Sequence, residues 1–284
     1  MKADVLNVKG EKVKTIDLPG QFDEEIRPDI IKRAVLVMQA NKRQPYGANP
    51  RAGKRASANL SRRRRKYRGS YGHGISRVPR KIMTRRGTSL FWVGAVAPGM
   101  VGGRRAHPPK AEKIWLQKIN IKERRLAIRS ALAATCIKEL VEKRGHLFKN
   151  VPIVVESGFE NLKKTKEVIT ALTSLDLKKE LERASVKKIR SGKGKSRGRK
   201  YKARKGPLIV VSQKCELQKS AKNIPGINIS IIGSINAELL APGSEPGRLT
   251  IFTDKAIEKL AKEKLFTGAK VEEKEKKTTK EVKK

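Results

Sequence analysis

Pro207-Leu208-Ile209-Val210-Val211 is an unbroken apolar run, and Val151-Pro152-Ile153-Val154-Val155 repeats its character. A strand with one wet face alternates apolar and polar residues; a strand covered on both faces does not. Both segments therefore read as interior strands of a parallel sheet. Ile227 to Ile232 is a third short apolar run, and helical patterns fall between the runs, near Leu162 to Leu175 and Glu216 to Lys222. Leu249 to Phe252 supplies another strand, with Thr253 or Asp254 placed to cap a last helix through Lys264.

Outward from this centre the pattern continues. Val5 to Val8 and Val13 to Leu18 form a hairpin around Lys9-Gly10-Glu11-Lys12, and Pro28 suits the first turn of a helix reaching Ala40. The clearest helix spans Ile121 to Lys143. Asn120 stands at its cap with Glu123 in the capping-box position, and Gly145 ends it; Ile128, Leu132, Cys136 and Leu140 make the buried stripe, which marks Cys136 as a core thiol. Strands alternating with helices predict the α/β class: a single Rossmann-like globular domain with a largely parallel sheet, built from residues 1–40 and 112–266.

The charge is distributed very unevenly. The 284 residues hold 68 Lys and Arg against 27 Asp and Glu, a net charge of +41. Such an excess repels itself unless a polyanion neutralises it, which argues against a free metabolic enzyme and for nucleic acid as partner. Residues 41–111 contain 19 Lys or Arg and no carboxylate, and residues 187–205 contain 11 and none, together 30 of the 41 net charges. The first segment is also dense in Gly and Pro, which predicts a long basic loop inserted in the domain, with little secondary structure and no core of its own. Fully extended, its 71 residues would measure about 240 Å, so a doubled-back loop reaches far beyond the body. The second segment reads as a shorter loop of the same kind, and residues 267–284 as a disordered Lys/Glu tail.

Other chemistries find little support. Cys136 and Cys215 stand far apart without ligand spacing, so no disulfide or metal site is expected, and no cofactor either. The turns after Val155, Val211 and Ile232 lack a dinucleotide fingerprint, and Gly194-Lys195-Ser196 lacks the first glycine of a phosphate loop. His73 and His107 have no Cys, carboxylate or second His at ligand spacing within the loop; for them and for His146, hydrogen bonding or stacking against RNA is a plainer reading than metal ligation or general-base catalysis. No signal peptide and no membrane span are read, and no homo-oligomer is expected.

The run Arg62-Arg63-Arg64-Arg65-Lys66, followed by Tyr67, Arg68 and Tyr71, is the densest charge in the chain. Guanidinium groups bind phosphates in bidentate fashion and stack on bases, as tyrosines also do. Candidate RNA contacts in the long loop are therefore Lys42, Arg43, Arg51, Lys54, Arg55, Arg62, Arg63, Arg64, Arg65, Lys66, Arg68, Arg77, Arg80, Lys81, Arg85, Arg86, Arg104 and Arg105. Tyr46, Tyr67, Tyr71, Phe91, Trp92 and His107 are candidate stacking or packing groups, and Lys193, Lys195, Arg197, Arg199, Lys200 and Arg204 a second anchor.

Three motifs carry a family resemblance. Gln44-Pro45-Tyr46-Gly47-Ala48-Asn49-Pro50-Arg51-Ala52-Gly53-Lys54-Arg55, Ser70-Tyr71-Gly72-His73-Gly74 with Arg77-Val78-Pro79-Arg80, and Gly103-Arg104-Arg105-Ala106-His107-Pro108-Pro109 resemble the large-subunit ribosomal protein L-four family in its archaeal and eukaryotic branch. The resemblance covers residues 1 to 265. It implies a structural, non-enzymatic constituent of the cytoplasmic large ribosomal subunit that binds 23S-type rRNA. It further implies that the loop reaches the polypeptide exit tunnel, with Ser70, Tyr71, Gly72, His73, Gly74 and Ile75 lining it beside the protein L-twenty-two and the passing nascent chain. Two rivals remain: a chromatin-type DNA binder, which would favour terminal tails or groove-entering helices, and an RNA-modifying enzyme, which would need an acid/base constellation or cofactor turn.

Overall fold

The computed structural model describes residues 1–267. The chain opens with β1 (Lys2–Leu6), β2 (Lys12–Asp17) and α1 (Pro28–Asn41), then β3 (Arg80–Arg86) and β4 (Ser89–Gly94). There follow α2 (Ile121–Ala134), α3 (Lys138–Lys143), β5 (Ile153–Val155), α4 (Thr165–Ser174), α5 (Lys178–Ser185), β6 (Lys187–Ile189) and β7 (Tyr201–Ala203). The last elements are β8 (Leu208–Val211), α6 (Leu217–Ala221), β9 (Asn228–Ile231), α7 (Ala237–Leu240), β10 (Thr250–Thr253) and α8 (Asp254–Lys262). They form two units, one made of the chain up to Asn41 and from Gln117 onward, here called the body, the other Lys42–Leu116, here called the arm.

A six-stranded sheet in the order β2-β1-β5-β10-β8-β9 organises the body. All its pairings are parallel except the β1–β2 hairpin. Along β8, Leu208 and Val210 enter one apolar cluster while Ile209 and Val211 enter another; β5 divides the same way, Val154 on one side and Ile153 and Val155 on the other. Both faces are thus covered, which is why these strands carry no polar alternation. Ile31 and Val35 of α1, Leu132 of α2 and Leu260 of α8 close one face; Val168 and Leu172 of α4 and Leu217 of α6 close the other. The mixed α/β class and the largely parallel sheet agree with the sequence reading.

Several local expectations are corrected. The helix expected over Ile121–Lys143 breaks at Thr135–Ile137 into α2 and α3. The Thr135 hydroxyl donates to the carbonyl of Leu132 at 2.7 Å, and Ile137 turns extended. Cys136 is nonetheless buried, and burial pushes its thiol up to about 11. Gly145 adopts φ +81°, as a helix terminator should. Asn120 makes no side-chain cap bond, and Glu123, rather than turning back to the Asn120 N–H, pairs with Arg33 of α1 at 3.0 Å. Helices α5 and α7 were not anticipated. The arm was expected to have little secondary structure, yet β3 and β4 pair antiparallel; β6 and β7 likewise make a ribbon at the root of the second basic loop. The expected Lys/Glu tail lies, from residue 268, outside the described residues.

At the point where the arm departs, Asn41 makes a clasp. Its amide nitrogen donates to the carbonyl of Gln117 at 3.2 Å, and its amide oxygen accepts from the Gln117 backbone N–H at 2.8 Å. One side chain thereby reproduces a strand-like pair across 76 residues of sequence.

Candidate nucleic-acid interface

The arm is a pair of chain segments that run back along each other. The Ala48 N–H donates to the carbonyl of Pro109 at 2.9 Å, and that of Asn59 to Arg80 at 3.2 Å. Where the segments touch, glycine is required. Gly53 sits at φ +70° with its missing Cβ aimed at the backbone of Arg104, and the space beside Gly103 is filled by the Ala97 carbonyl. Ser61 bridges Gly69, closing a turn that carries Arg62, Arg63, Arg64, Arg65 and Lys66, all exposed. Residues 70–79 form the next turn, in which Tyr71, Gly72, His73 and Gly74 are exposed, Ile75 is half-buried and Ser70 is buried. The β3–β4 hairpin then places Arg85 and Arg86 at its tip, with Gly87 at φ +54°.

With no carboxylate between residues 41 and 111, several of the arm's guanidinium groups rest on rings and carbonyls. Arg85 and Arg68 lie 5.3 and 5.5 Å from the Tyr67 centroid, Arg77 5.3 Å from Tyr71, and Arg80 5.8 Å from Trp92. Such cation–π contacts fix the cations without neutralising them. Arg80 also donates to both the carbonyl and the hydroxyl of Ser76 at 3.0 Å. Lys42, Arg43, Arg51, Lys54, Arg55 and Arg105 are exposed, while Lys81 and Arg104 are half-buried. Phe91 is exposed rather than packed.

The richest cluster was only half visible in the sequence. Tyr46 stacks on Trp115 with centroids 5.7 Å apart and planes 20° from parallel. Arg43 lies 3.8 Å from the Trp115 centroid and Lys113 4.4 Å from it. Trp115 was missed because it follows the acid-free stretch; its one signal in the sequence is that it is one of only two tryptophans, two residues after Lys113. His107 lines a recess of about 810 Å³ together with Tyr46, Arg105, Pro108, Pro109 and Lys110.

Four buried side-chain polar atoms among the described residues have no hydrogen-bond partner: Arg68 Nε, Ser70 Oγ, Arg80 Nε and Trp115 Nε1. All four belong to the arm. A stranded buried donor costs about 1–3 kcal/mol. The body, by contrast, satisfies even its interior charges. Arg248 is wholly buried and donates to Gly206, Pro207, Leu239 and Asn228 oxygens; burial, aided by Arg144, pulls its guanidinium down to about 10.

In the second basic loop Arg190 holds the turn, its Nε donating to the Arg199 carbonyl at 2.9 Å. Lys193, Lys195, Arg197, Arg199, Lys200 and Arg204 are all exposed. His146 corrects the reading of the histidines as RNA-facing: it is buried, with Nδ1 2.7 Å from Glu180 Oε1. Burial lowers the affinity of its imidazole for a proton. Arg183 completes the cluster, donating to Glu180 at 2.6 and 2.7 Å and to the carbonyl of Lys205, where the second loop returns, at 2.9 Å. Among the described residues no cluster of three His, Cys, Asp or Glu is placed to hold a metal, and no helix is long and apolar enough to cross a membrane.

Comparison with known proteins gives one consistent result. Residues 16–263 match the Ribosomal protein L4/L1 family. The large ribosomal subunit protein uL4 of Nanoarchaeum equitans is 55% identical over 268 residues, which cover 94% of this chain and 100% of that protein. The proteins of the same description from Archaeoglobus fulgidus and Methanocaldococcus jannaschii are each 47% identical, over 92% of this chain and 98% of their own lengths.

Proposed function

Because the chain belongs to the ribosomal protein L4/L1 family, in its archaeal form, we propose that its two basic extensions are what holds it on large-subunit, 23S-type rRNA. The protein is a structural constituent of the large ribosomal subunit, a cytoplasmic particle, and the family is not an enzyme family. The body is the rigid mount. The arm penetrates the RNA, and the 187–205 loop gives a second, shorter anchor.

The observation that carries this reading is the contrast between the two units. The body pairs many of its cations with its own carboxylates, whereas the arm presents exposed cations, densest at Arg62 to Lys66, in a segment without carboxylates up to residue 111. Phosphate and sugar oxygens are acceptors that these exposed cations can reach, and exposed Tyr67 and Tyr71 offer faces to bases. In the same reading Ser70 to Ile75 line the exit tunnel beside L-twenty-two, within reach of the nascent chain. The test is to replace residues 42–116 by a short Gly/Ser linker. The body should keep its helical signal, since its two apolar clusters draw nothing from the arm, but fail to enter large subunits. A crosslinker at Tyr71 or His73 of the intact protein should reach rRNA or nascent chain in purified particles. Normal incorporation of the shortened protein would refute the role of the arm.

A further inference from the structure

The recess beside Tyr46 contains a group that phosphate binding does not explain. Glu112 is the only carboxylate in the arm, lines this recess, is exposed, and makes no hydrogen bond or ion pair among the described residues. A lone carboxylate on a surface meant for phosphates weakens binding unless it faces donors, because an ionised carboxylate only accepts. RNA offers such donors on base edges. Guanine presents its N1–H and N2–H side by side, matching the two oxygens of one carboxylate, whereas adenine and cytosine present one amino group and uracil one imide N–H. In a duplex the guanine donors are taken by cytosine, so the base must be unpaired.

The remaining walls suit a flat ring with a phosphate. Tyr46 is half exposed and backed by Trp115, which leaves aromatic surface for a base to stack on. Pro108 and Pro109 offer apolar walls, and Arg105, Lys110 and Lys113 supply cations for the adjoining phosphates. A volume of about 810 Å³ holds one nucleotide.

We propose that this recess binds a single unpaired guanine of RNA, stacked on Tyr46 and read by Glu112. The inference rests on the RNA-binding reading above and adds a base identity to it. The full chain with Trp92→Phe leaves Trp115 as the one tryptophan reporter, since the protein has two. It is titrated at low salt with single-stranded uridine pentanucleotides bearing a central guanosine, adenosine or inosine, the last lacking the N2 amino group. The guanosine oligomer should quench Trp115 with about tenfold tighter binding than the other two. Glu112→Gln should abolish that preference while leaving adenosine binding as strong or stronger, and Tyr46→Ala should weaken all three. Equal binding of the three oligomers, or a guanosine preference that survives Glu112→Gln, overturns the guanine site while RNA binding itself stands. If none of the three binds, the RNA-binding reading falls with it.

Discussion

Replacing Glu180 by Gln should destabilise the body more than almost any other single polar change. The carboxylate is fully buried and takes four donors: His146 Nδ1 at 2.7 Å, the Leu147 N–H at 3.0 Å, and Arg183 Nε and Nη2 at 2.7 and 2.6 Å. Burial alone would raise its pKa, but the Arg183 and His146 hydrogen bonds outweigh that and hold it below the usual carboxylate range. An amide keeps one accepting oxygen and turns an N–H₂ toward donors, so about two of the four lose their acceptor. At about 1–3 kcal/mol for each stranded donor, and given that breaking one side of a buried ion pair costs about 3–5 kcal/mol, the expected loss is about 4 kcal/mol at pH 7. Urea unfolding followed by far-UV circular dichroism measures it. Arg183→Met should cost about 3 kcal/mol, and the double variant should fall short of the sum by about 2 kcal/mol because the two side chains share one network. A loss under about 1 kcal/mol, or strict additivity, would refute the reasoning.

Other expectations follow from named contacts. The imidazole of His146 is less basic in the folded protein than in the unfolded chain, chiefly through burial, even though Glu180 opposes the shift and Arg183 and Arg144 add to it. The unfolded chain therefore binds the extra proton first as pH drops below about 6.5, so stability from this group is complete above that pH and is lost below it. His146→Asn should flatten that part of a urea-midpoint profile between pH 7.5 and 5. Leu132→Ala, at a fully buried position of α2, should cost about 2–5 kcal/mol in urea unfolding. Gly53→Val should leave the body's unfolding midpoint unchanged but weaken rRNA binding roughly fivefold to thirtyfold, since the left-handed conformation alone costs about 1–2 kcal/mol there.

The sheet was legible because burial on both faces leaves a direct trace: Leu208 to Val211 cannot alternate when each side meets its own cluster. The arm's existence was legible from missing carboxylates. Its hairpin was not, because sixteen glycines and prolines across the loop were averaged together, although between Pro79 and Gly94 only Gly87 occurs and it marks the turn. The break of the α2–α3 helix left no signal, since the four-residue apolar spacing continues through Cys136 although the backbone turns extended at Ile137. Nothing in the sequence sets Arg248 and Glu180 apart from surface charges; partners brought from distant elements make them interior ones. Trp115 and Glu112 lay beyond the segment that composition singled out.

The most direct test of the central claim is the affinity of the full chain for large-subunit rRNA as a function of salt, set beside the form lacking residues 42–116. If the arm binds by neutralising phosphates, the logarithm of the affinity falls linearly with that of salt. The slope grows by about 0.7–0.9 for each phosphate engaged, and most of it disappears with the arm. A shallow slope for the full chain, or one that the deletion leaves unchanged, would contradict the account.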